Sequence, residues 1–414
     1  MFIDPNVWGP RSMHVAFSHQ NFPAQFGAFG AYLASIGWRV TFFTGAVGAT
    51  PPPGCQMVHM TPHRDPSQTT HRFAASMEKA MINAQAFANA AIAVRRQGAT
   101  PDVVVGHSGW GSGTFAKSVW PESKFVAYAE WFYRFPPVDD TGESAAASPE
   151  DGRAHALTRN TPTLLDLAQA DLAFCPTRFQ ADQFPVQLRD RLHILHDGVN
   201  AARIVPDRGS RRGVAGLPLP DDAEIVTYAT RGMEPHRGFP EFLRAVAQLQ
   251  TTRPRLHVVI GGEDRVAYGR RLPAGDSWKR RMLAELDLDL SRVHFTGLMP
   301  WSQYLAVLQS SHVHVYLTVP FVLSWSLIEA MSTGCSLVVS DTAPVREALD
   351  DGVSADMVDH TNIPELVAAI ARQLDDRARA LALGDAARQA VLRRYDQRWI
   401  WPARADLLER LVHG

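Results

Sequence analysis

The sequence predicts an α/β protein made of two doubly wound domains. Short apolar, strand-like runs alternate with helix-like segments along almost all of the 414 residues, a pattern typical of parallel sheets covered by helices on both faces. The alternation breaks once, in a stretch rich in Pro, Gly and charge at 200–222, and then restarts. The length also exceeds what one core usually holds.

We therefore predict five segments along the chain. They are a flexible N-terminal extension (1–12), a first Rossmann-like domain (13–203), a linker (204–222), a second Rossmann-like domain (223–394) and a C-terminal helix (395–414). The amphipathic C-terminal helix either crosses back to the first domain or packs on its own. A low-complexity insert at 136–153 is predicted to be a loop.

The composition excludes several classes of protein. With 46% hydrophobic residues, 20% charged residues and a net charge of −1, the chain lacks the basic excess of a nucleic-acid-binding protein. Cys55, Cys175 and Cys335 lie far apart, which predicts neither a disulfide framework nor a zinc site and fits a reducing cytoplasm. The first residues lack the pattern of a signal peptide, and no apolar run reaches the ~18 residues of a membrane span.

Individual elements follow from local patterns. In the first half the strands are predicted within the runs MHVAFSH, RVTFFTG, DVVVGHS, KFVAYAEW, LAFCPT and LHILHDGV. Helices are predicted over 24–37, where apolar residues recur on one face, and over an Ala-rich stretch from about 68 to 98. In the second half the strands are predicted within EIVTYATR, RLHVVIGGED, VHFTG, VHVYLT, SLVVSD and SADMVD.

Polar residues that follow strands mark the expected sites, because open α/β sheets bind ligands beyond the carboxyl ends of their strands. In the first half, His19, His107 and Glu130 each follow a predicted strand, and Arg134 lies close behind Glu130. We predict that His107, Glu130 and Arg134 converge on one polar site. A structural role for each residue is the alternative.

Two arginines predict an anion site in the second half. Arg231 ends a strand and Arg237 lies at the mouth of the next helix, so forked donors and a helix N-terminus favour a phosphate there. The alternative is that the arginines pair with Glu234 or with surface carboxylates. The chain has neither a P-loop nor a GxGxxG motif.

A single carboxylate, Glu329, stands in the apolar run SWSLIEAM, near Ser324 and Ser326. A carboxylate at a helix start often only complements the helix dipole. In surroundings that look buried it needs hydrogen-bond donors, and the two hydroxyls of a ribose are suitable ones.

These segments resemble the retaining glycosyltransferases of the GT-B type, in the large group 1 family (glycosyltransferase family four), over nearly the whole chain from Met13. The resemblance rests on six runs in the sequence: SLIEAMSTGCSLVVSDTAPVREALDDG, LHILHDGVN, ATRGMEPHRG, VVVGHSGWGSG, AYAEWFYRF and SHQNFPAQFGAFGAYLASIGWRVTFFTG. The last of these is similar to the opening of a bacterial subgroup in which HQNFP replaces a glycine-rich loop.

The resemblance implies a GT-B fold, with the two domains facing across a cleft, and a metal-independent transfer of sugar from a nucleoside-diphosphate sugar with retention of configuration. It implies a glycan, glycolipid or lipid-linked acceptor in bacterial polysaccharide or glycoconjugate biosynthesis, no further cofactor, and a cytoplasmic location. Peripheral contact with the inner face of the membrane is left open.

The resemblance also implies roles for residues. Arg231 and Arg237 are expected to bind the diphosphate and Glu329 to bind the ribose. Gly297 and Leu298 are expected to contact the base. The other expected roles are contact with the donor sugar and phosphates for Ser324, Trp325 and Ser326, catalysis for His107, Glu130, Arg231 and Arg237, and acceptor binding for His19, Asn21, Phe22, Trp131 and Arg134.

One position departs from the family pattern. The family usually has two Glu separated by seven residues; the second matches Glu329, but the first falls on Phe321. A phenyl ring cannot accept hydrogen bonds from sugar hydroxyls, so either Glu130 supplies that role or the donor sugar is held differently. Two other functions therefore stay open: a sugar-nucleotide hydrolase, epimerase or phosphorylase, and a non-catalytic nucleotide-sugar-binding scaffold.

Overall fold

The computed structural model describes residues 12–141, 148–207, 214–217 and 219–414. The chain forms two compact units. Unit 1 comprises Met1–Pro137, Ala146–Asp197 and Arg398–Gly414, and unit 2 comprises Val138–Ala145 and Gly198–Gln397. The predicted N-terminal extension, except for Ser12, and parts of the predicted insert and linker lie outside the described residues.

The described part of unit 1 holds a parallel sheet of seven strands in the order β3-β2-β1-β4-β5-β6-β7. The strands are β1 (His14–His19), β2 (Arg39–Thr44), β3 (Cys55–His59), β4 (Val103–His107), β5 (Lys124–Tyr128), β6 (Leu172–Cys175) and β7 (Leu192–Ile194). The α-helices described between them are α1 (Gly27–Ser35), α2 (Ala75–Arg96), α3 (Ala116–Val119), α4 (Pro149–Arg159), α5 (Thr161–Gln169), α6 (Arg178–Ala181) and α7 (Val186–Arg189).

Unit 2 holds a second parallel sheet, with six strands among the residues described, in the order β10-β9-β8-β11-β12-β13. The strands are β8 (Glu224–Gly232), β9 (Leu256–Glu263), β10 (Val293–Gly297), β11 (Val313–Tyr316), β12 (Leu337–Ser340) and β13 (Asp356–Val358). The helices are α8 (Phe239–Thr252), α9 (Trp278–Glu285), α10 (Trp301–Ser310), α11 (Trp325–Ser332), α12 (Ala343–Ala348), α13 (Ile363–Asp375) and α14 (Arg377–Arg394).

Both sheets are buried on their two faces, which explains their apolar strands. In β4, Val103 and Val105 pack in one cluster of unit 1, whereas Val104 packs in the other. In β12, Val338 packs in one cluster of unit 2, whereas Leu337 and Val339 pack in another. Successive side chains of a strand point to opposite faces, so each strand needs apolar residues at every position.

Three elements differ from the sequence-based expectation. The helix α4 begins at Pro149, inside the segment 136–153 that the sequence predicts to be a loop, because Ser148 caps its N-terminus. The strand β3 was not predicted from the sequence, because CQMVH mixes exposed and buried positions and is not a continuous apolar run. This strand pairs only with β2 at the edge of the sheet. The helix α2 begins at Ala75, later than the predicted start near 68, because the residues before it form turns.

The last helix, α15 (Gln397–His413), packs in unit 1, where Ala405 and Leu408 join the core cluster that contains Phe29. Its Trp401 Nε1 donates a hydrogen bond to the Asp197 carbonyl at 2.9 Å. Unit 2 already includes residues 198–203, which the sequence-based prediction assigns to the first domain. None of the described helices is long and apolar enough to cross a membrane.

Candidate functional site

The strand orders place one candidate site in each unit. In unit 1, β1 lies between β2 and β4, and in unit 2, β8 lies between β9 and β11. The order of strands along the chain reverses at these points, and ligands of open α/β sheets bind beside such switch points. His19 and His107 end β1 and β4, and Arg231 lies near the end of β8.

In unit 2 the carboxyl ends of β8 and β11 border a partly open pocket. Four of the residues predicted to bind a donor meet there. The lining residues are Tyr228, Ala229, Thr230, Arg231, Arg237, Tyr268, Tyr316, Leu317, Ser324 and Ser326. The pocket therefore combines two guanidinium groups, several hydroxyls and aromatic rings.

Arg237 is the central cation of this pocket. Its side chain is buried, with the residue only 7% exposed, and its Nη1 donates hydrogen bonds to Thr318 Oγ1 at 2.8 Å and to the Tyr316 hydroxyl at 3.4 Å. Both acceptors are neutral, and no ion pair joins Arg237 to a carboxylate among the described residues. Because a buried charge without a partner is costly, the pocket is suited to an anion.

The backbone around Arg237 has little freedom. Its carbonyl accepts a hydrogen bond from the Tyr228 hydroxyl at 2.6 Å. The next residue, Gly238, has a φ of +62° and precedes α8, and a Cβ there would lie 2.6 Å from Leu317 Cβ. Only glycine fits both the left-handed backbone and the close approach. Gly238 therefore restricts the backbone conformation directly after Arg237.

Glu234 is not the partner of these arginines. Its Oε2 accepts hydrogen bonds from the backbone N–H groups of Ala267, Tyr268 and Gly269 at 2.9–3.0 Å. Arg231 is exposed at the rim of the pocket. The alternative prediction, in which Glu234 neutralises Arg231 or Arg237, is therefore wrong.

The start of α11 supplies the hydroxyls of the pocket. Ser324 is the N-cap of this helix, and its hydroxyl accepts a hydrogen bond from the Ser326 N–H at 3.3 Å. The two hydroxyl oxygens lie 2.8 Å apart. The Ser324 N–H donates to the Tyr316 hydroxyl at 3.3 Å, which joins this turn to the residues that hold Arg237.

Glu329 lies in the second turn of α11, beyond the first turn in which acidic residues complement the helix dipole. Burial raises the pKa of Glu329 to about 7, and the neighbouring Tyr304 hydroxyl opposes that rise. The dipole-partner alternative thus loses its basis. Glu329 does not line the pocket that contains Arg237, whereas Ser324 and Ser326 do. These three residues are close in the sequence, but they do not share one surface in the structure.

Three more of the predicted donor residues also stand outside the lining of this pocket. Gly297 ends β10 and is followed by Leu298, whose side chain is exposed. Trp325 is exposed at the first position of α11. Phe321, which replaces the usual glutamate, lies edge-on to the rings of His236 and Tyr268.

In unit 1 the residues after β1, β4 and β5 form a polar cluster. His107 Nε2 lies 3.4 Å from Glu130 Oε2, and Gln25 Nε2 donates to Glu130 Oε1 at 2.9 Å. The rings of His19 and His107 meet edge to face at 4.8 Å. The convergence predicted for His107 and Glu130 is present, with Gln25 and His19 as additional members.

Hydrogen bonds within this cluster hold the Glu130 carboxylate. Burial would raise the pKa of Glu130, but hydrogen bonds from His107 and Gln25 outweigh it and hold that pKa below its usual value. Burial, together with the nearby His107, lowers the pKa of His19 to about 3. His19 is therefore neutral, and its Nδ1 accepts a hydrogen bond from the Asn21 N–H at 2.8 Å.

The loop after His107 is held by a buried carboxyl group on α5. Asp166 Oδ1 accepts a hydrogen bond from the Thr114 hydroxyl at 2.7 Å, and burial raises the pKa of Asp166 to about 6. Gly111 in this loop has a φ of +79°, and a Cβ there would lie 1.8 Å from the Ala80 carbonyl oxygen. The loop thus requires glycine at this position.

The remaining predicted acceptor residues lie apart from this polar cluster. Phe22 packs against Phe42 in the core, with 5.1 Å between ring centroids, and Trp131 packs against Phe179 at 6.1 Å. Arg134 is exposed and forms no ion pair with Glu130 among the described residues. The predicted convergence of Arg134 with His107 and Glu130 is not present.

Sequence patterns did not point to Gln25, Tyr268 or Tyr304. Gln25 stands two residues before the start of α1, and its contact with Glu130 spans 105 residues of sequence. Tyr268 follows β9 by five residues, within a stretch that has no helical or strand periodicity. Tyr304 looks like an ordinary core residue of α10. Only the tertiary structure brings these side chains to the candidate sites.

The chain matches two sequence models of one family. Residues 36–204 match the model described as "Glycosyl transferase family 4 group", and residues 214–390 match "Glycosyl transferases group 1". The first match lies mainly in unit 1 and begins after β1 and α1, and the second lies within unit 2. Together the two models match most of the chain, so the chain belongs to the glycosyltransferases that they describe.

Curated relatives match over part of their length. The chain is 25% identical over 225 residues to D-inositol 3-phosphate glycosyltransferase of Corynebacterium jeikeium, covering 53% of this chain and 51% of that protein. It is 26% identical over 238 residues to the MMP alpha-(1->4)-mannosyltransferase of Mycolicibacterium hassiacum, covering 57% of this chain and 51% of that protein. The chain thus spans about half the length of these relatives.

Solved structures share the fold over nearly the whole chain. Sucrose-phosphate synthase from Thermosynechococcus elongatus superposes with a TM-score of 0.74 at 20% identity, covering 97% of this chain and 99% of that one. HepE from Anabaena, in complex with UDP and glucose, superposes with a TM-score of 0.70 at 15% identity, covering 96% and 100%. These likenesses establish two Rossmann-like domains of GT-B type.

Proposed function

We propose that this protein transfers a sugar from a nucleoside-diphosphate sugar to a glycan, glycolipid or small acceptor, without a metal ion and with retention of configuration. The observation that carries the proposal is the Arg237 guanidinium, buried in the pocket of unit 2 with neutral hydrogen-bond partners. A diphosphate supplies the missing negative charge. Membership of the group 1 family supports the reaction class.

In this proposal the pocket of unit 2 binds the donor. Arg231 and Arg237 bind the diphosphate, and they stabilise the charge that develops on the leaving group as the glycosidic bond breaks. The hydroxyls of Ser324 and Ser326 bind phosphate or sugar oxygens. Glu329 accepts hydrogen bonds from the ribose hydroxyls. Gly297, Leu298 and Trp325 make the remaining contacts with the donor.

The polar cluster of unit 1 binds sugar hydroxyls in the same proposal. A neutral His19, with His107 and Glu130, offers both acceptors and donors, as uncharged hydroxyl groups require. Glu130 orients the donor sugar or the acceptor in place of the carboxylate that Phe321 replaces. Asn21, Phe22, Trp131 and Arg134 contribute to the acceptor side.

The biological setting follows from the family and not from the site. We assign the protein to bacterial polysaccharide or glycoconjugate biosynthesis in the cytoplasm, with peripheral contact at the inner face of the membrane if the acceptor is lipid-linked. Relatives named for an inositol phosphate acceptor and for mannosyl transfer make small acceptors part of the same proposal. The donor is the only cofactor-like ligand that it requires.

The first experiment is a thermal shift assay against UDP, GDP, dTDP and ADP and their common sugar conjugates, each with and without EDTA. A ligand that binds only the native state, at ~100 times its Kd, adds about 2.7 kcal/mol to the free energy of unfolding. Glu329→Ala is the test variant. Glu409→Ala, which removes an exposed glutamate of α15, is the matched control.

The proposal predicts stabilisation by one base family, insensitive to EDTA, lost in Glu329→Ala and kept in Glu409→Ala. The stabilising sugar conjugate is then incubated with and without candidate acceptors. Release of free sugar with every acceptor, and transfer to none, would replace transfer with hydrolysis. Stabilisation without transfer and without release of free sugar would favour the nucleotide-sugar-binding scaffold, which the phenyl ring at position 321 also fits. No stabilisation by any nucleotide would overturn the proposal.

A further inference from the structure

The loop that follows β9 brings a tyrosine into the pocket of unit 2. Tyr268 lines the pocket, and the centroid of its ring lies 5.1 Å from the guanidinium carbon of Arg237. At this distance the ring and the cation attract each other electrostatically. Tyr268 is thus a direct neighbour of the group proposed to bind the diphosphate.

Glu234 fixes the loop that carries Tyr268. Its fully buried carboxylate accepts hydrogen bonds from three successive backbone N–H groups, including that of Tyr268 itself at 2.9 Å. Hydrogen bonds to an ionised acceptor are stronger than those between neutral groups. The same arrangement commits the carboxylate to the loop, so Glu234 does not neutralise Arg237.

A second ring completes the surroundings of Arg237. The ring centroid of Phe321 lies 5.7 Å from the Arg237 guanidinium carbon and 5.2 Å from the ring centroid of Tyr268, edge to face. This is the position at which the family pattern has a glutamate. Here a neutral ring stands where a negative charge would otherwise lie near Arg237.

We propose that Tyr268 and Phe321 form an aromatic clamp that orients the Arg237 guanidinium without neutralising it. Aromatic faces attract a cation through their quadrupole and carry no net charge. The whole positive charge of Arg237 therefore stays available to the bound diphosphate. Tyr268 and Phe321 are positioning residues that act through Arg237, and Glu234 holds Tyr268. The clamp rests on the proposed function, because it assumes that the anion is a diphosphate.

The test is isothermal titration calorimetry of the full chain with UDP, GDP, dTDP and ADP, followed by variants measured with the diphosphate that binds the wild type most tightly. Tyr268→Leu, which removes the ring, is expected to weaken binding about tenfold. Tyr268→Phe, which keeps the ring but removes the hydroxyl that also interacts with Arg237, is expected to weaken binding less than Tyr268→Leu does. Phe73→Leu removes a comparable ring from Arg72 in unit 1 and is the matched control.

Two further comparisons show whether the clamp acts through Arg237. In an Arg237→Ala background, Tyr268→Leu should have no further effect, because coupled residues are not additive. Phe321→Glu should bind about tenfold more weakly than Phe321→Gln, since only the former places a carboxylate about 6 Å from the guanidinium. Thermal unfolding without ligand checks that each variant is folded.

The outcomes separate the clamp from the proposed function. If the wild type binds no diphosphate, the proposed function fails and the clamp fails with it. If the wild type binds, but Tyr268→Leu binds equally well or adds its full effect to Arg237→Ala, the clamp alone is overturned. Equal affinities of Phe321→Glu and Phe321→Gln would also overturn it.

Discussion

Unit 1 and unit 2 both gather polar side chains at the switch points of their sheets, but the groups around the central charged side chain differ. In unit 1 the Glu130 carboxylate accepts a hydrogen bond from Gln25 at 2.9 Å and lies 3.4 Å from the His107 imidazole. In unit 2 the Arg237 guanidinium has only neutral hydrogen-bond partners and two aromatic neighbours. The first site suits uncharged hydroxyls, and the second needs an anion.

The largest expected effect comes from removing the unbalanced cation. Arg237→Ala should weaken binding of the preferred nucleoside diphosphate, and lower kcat/KM, by about 10²–10³, as is typical when a charged donor to a developing anion is lost. Arg244→Ala, which removes a surface arginine paired with Glu285, is the control. Calorimetry and initial rates measure both. Equal losses in the two variants would show that the site has no special need of Arg237.

A second prediction concerns the buried carboxyl group of unit 2. Because the pKa of Glu329 is raised to about 7, the folded state keeps a proton that the unfolded chain releases above about pH 4.5. The free energy of unfolding should therefore fall as the pH rises from about 4.5 to 7, by about 3 kcal/mol, and then level off.

Glu329→Gln should remove that part of the pH dependence, and it should make the nucleotide-free protein more stable above pH 7. Urea unfolding at pH 5 and pH 8 measures the difference. Asp166, whose pKa burial raises to about 6, adds a similar fall at lower pH, so Asp166→Asn separates the two contributions. A slope unchanged by Glu329→Gln would contradict the assigned pKa.

The smallest effect is expected in unit 1. Glu130→Gln keeps the size of the side chain but removes its charge, so we expect kcat/KM to fall about 10–100-fold while the affinity for the nucleoside diphosphate stays within about twofold. Glu150→Gln, at a surface glutamate paired with Arg153, is the control. If diphosphate affinity falls as much as kcat/KM does, the division of roles between the two units is wrong.

Local sequence patterns were sufficient for the fold and for the charged members of the sites. Apolar alternation predicted two parallel sheets, because every strand except the edge strand β3 is apolar enough to show it. Arg237, His107 and Glu130 stand at strand ends or helix starts, where open α/β sheets are expected to bind their ligands. The resemblance to a known family added their roles.

Contacts between distant segments could not be predicted in this way. Gln25 meets Glu130 across 105 residues, and Glu234 meets the loop of Tyr268 across 34, with no periodicity to mark either contact. The sequence also grouped Glu329 with Ser324 and Ser326, whereas helical geometry turns Glu329 toward Tyr304 and leaves the serines at the pocket. Spacing along a helix decides which side chains share a surface.

A crystal structure of the protein with the nucleoside diphosphate that it binds most tightly tests the central claim most directly. The account predicts phosphate oxygens within about 3 Å of the guanidinium groups of both Arg231 and Arg237, with the ribose hydroxyls on Glu329. A diphosphate bound elsewhere, with the Arg237 Nη1 hydrogen bonds to Thr318 and Tyr316 unchanged, would contradict it.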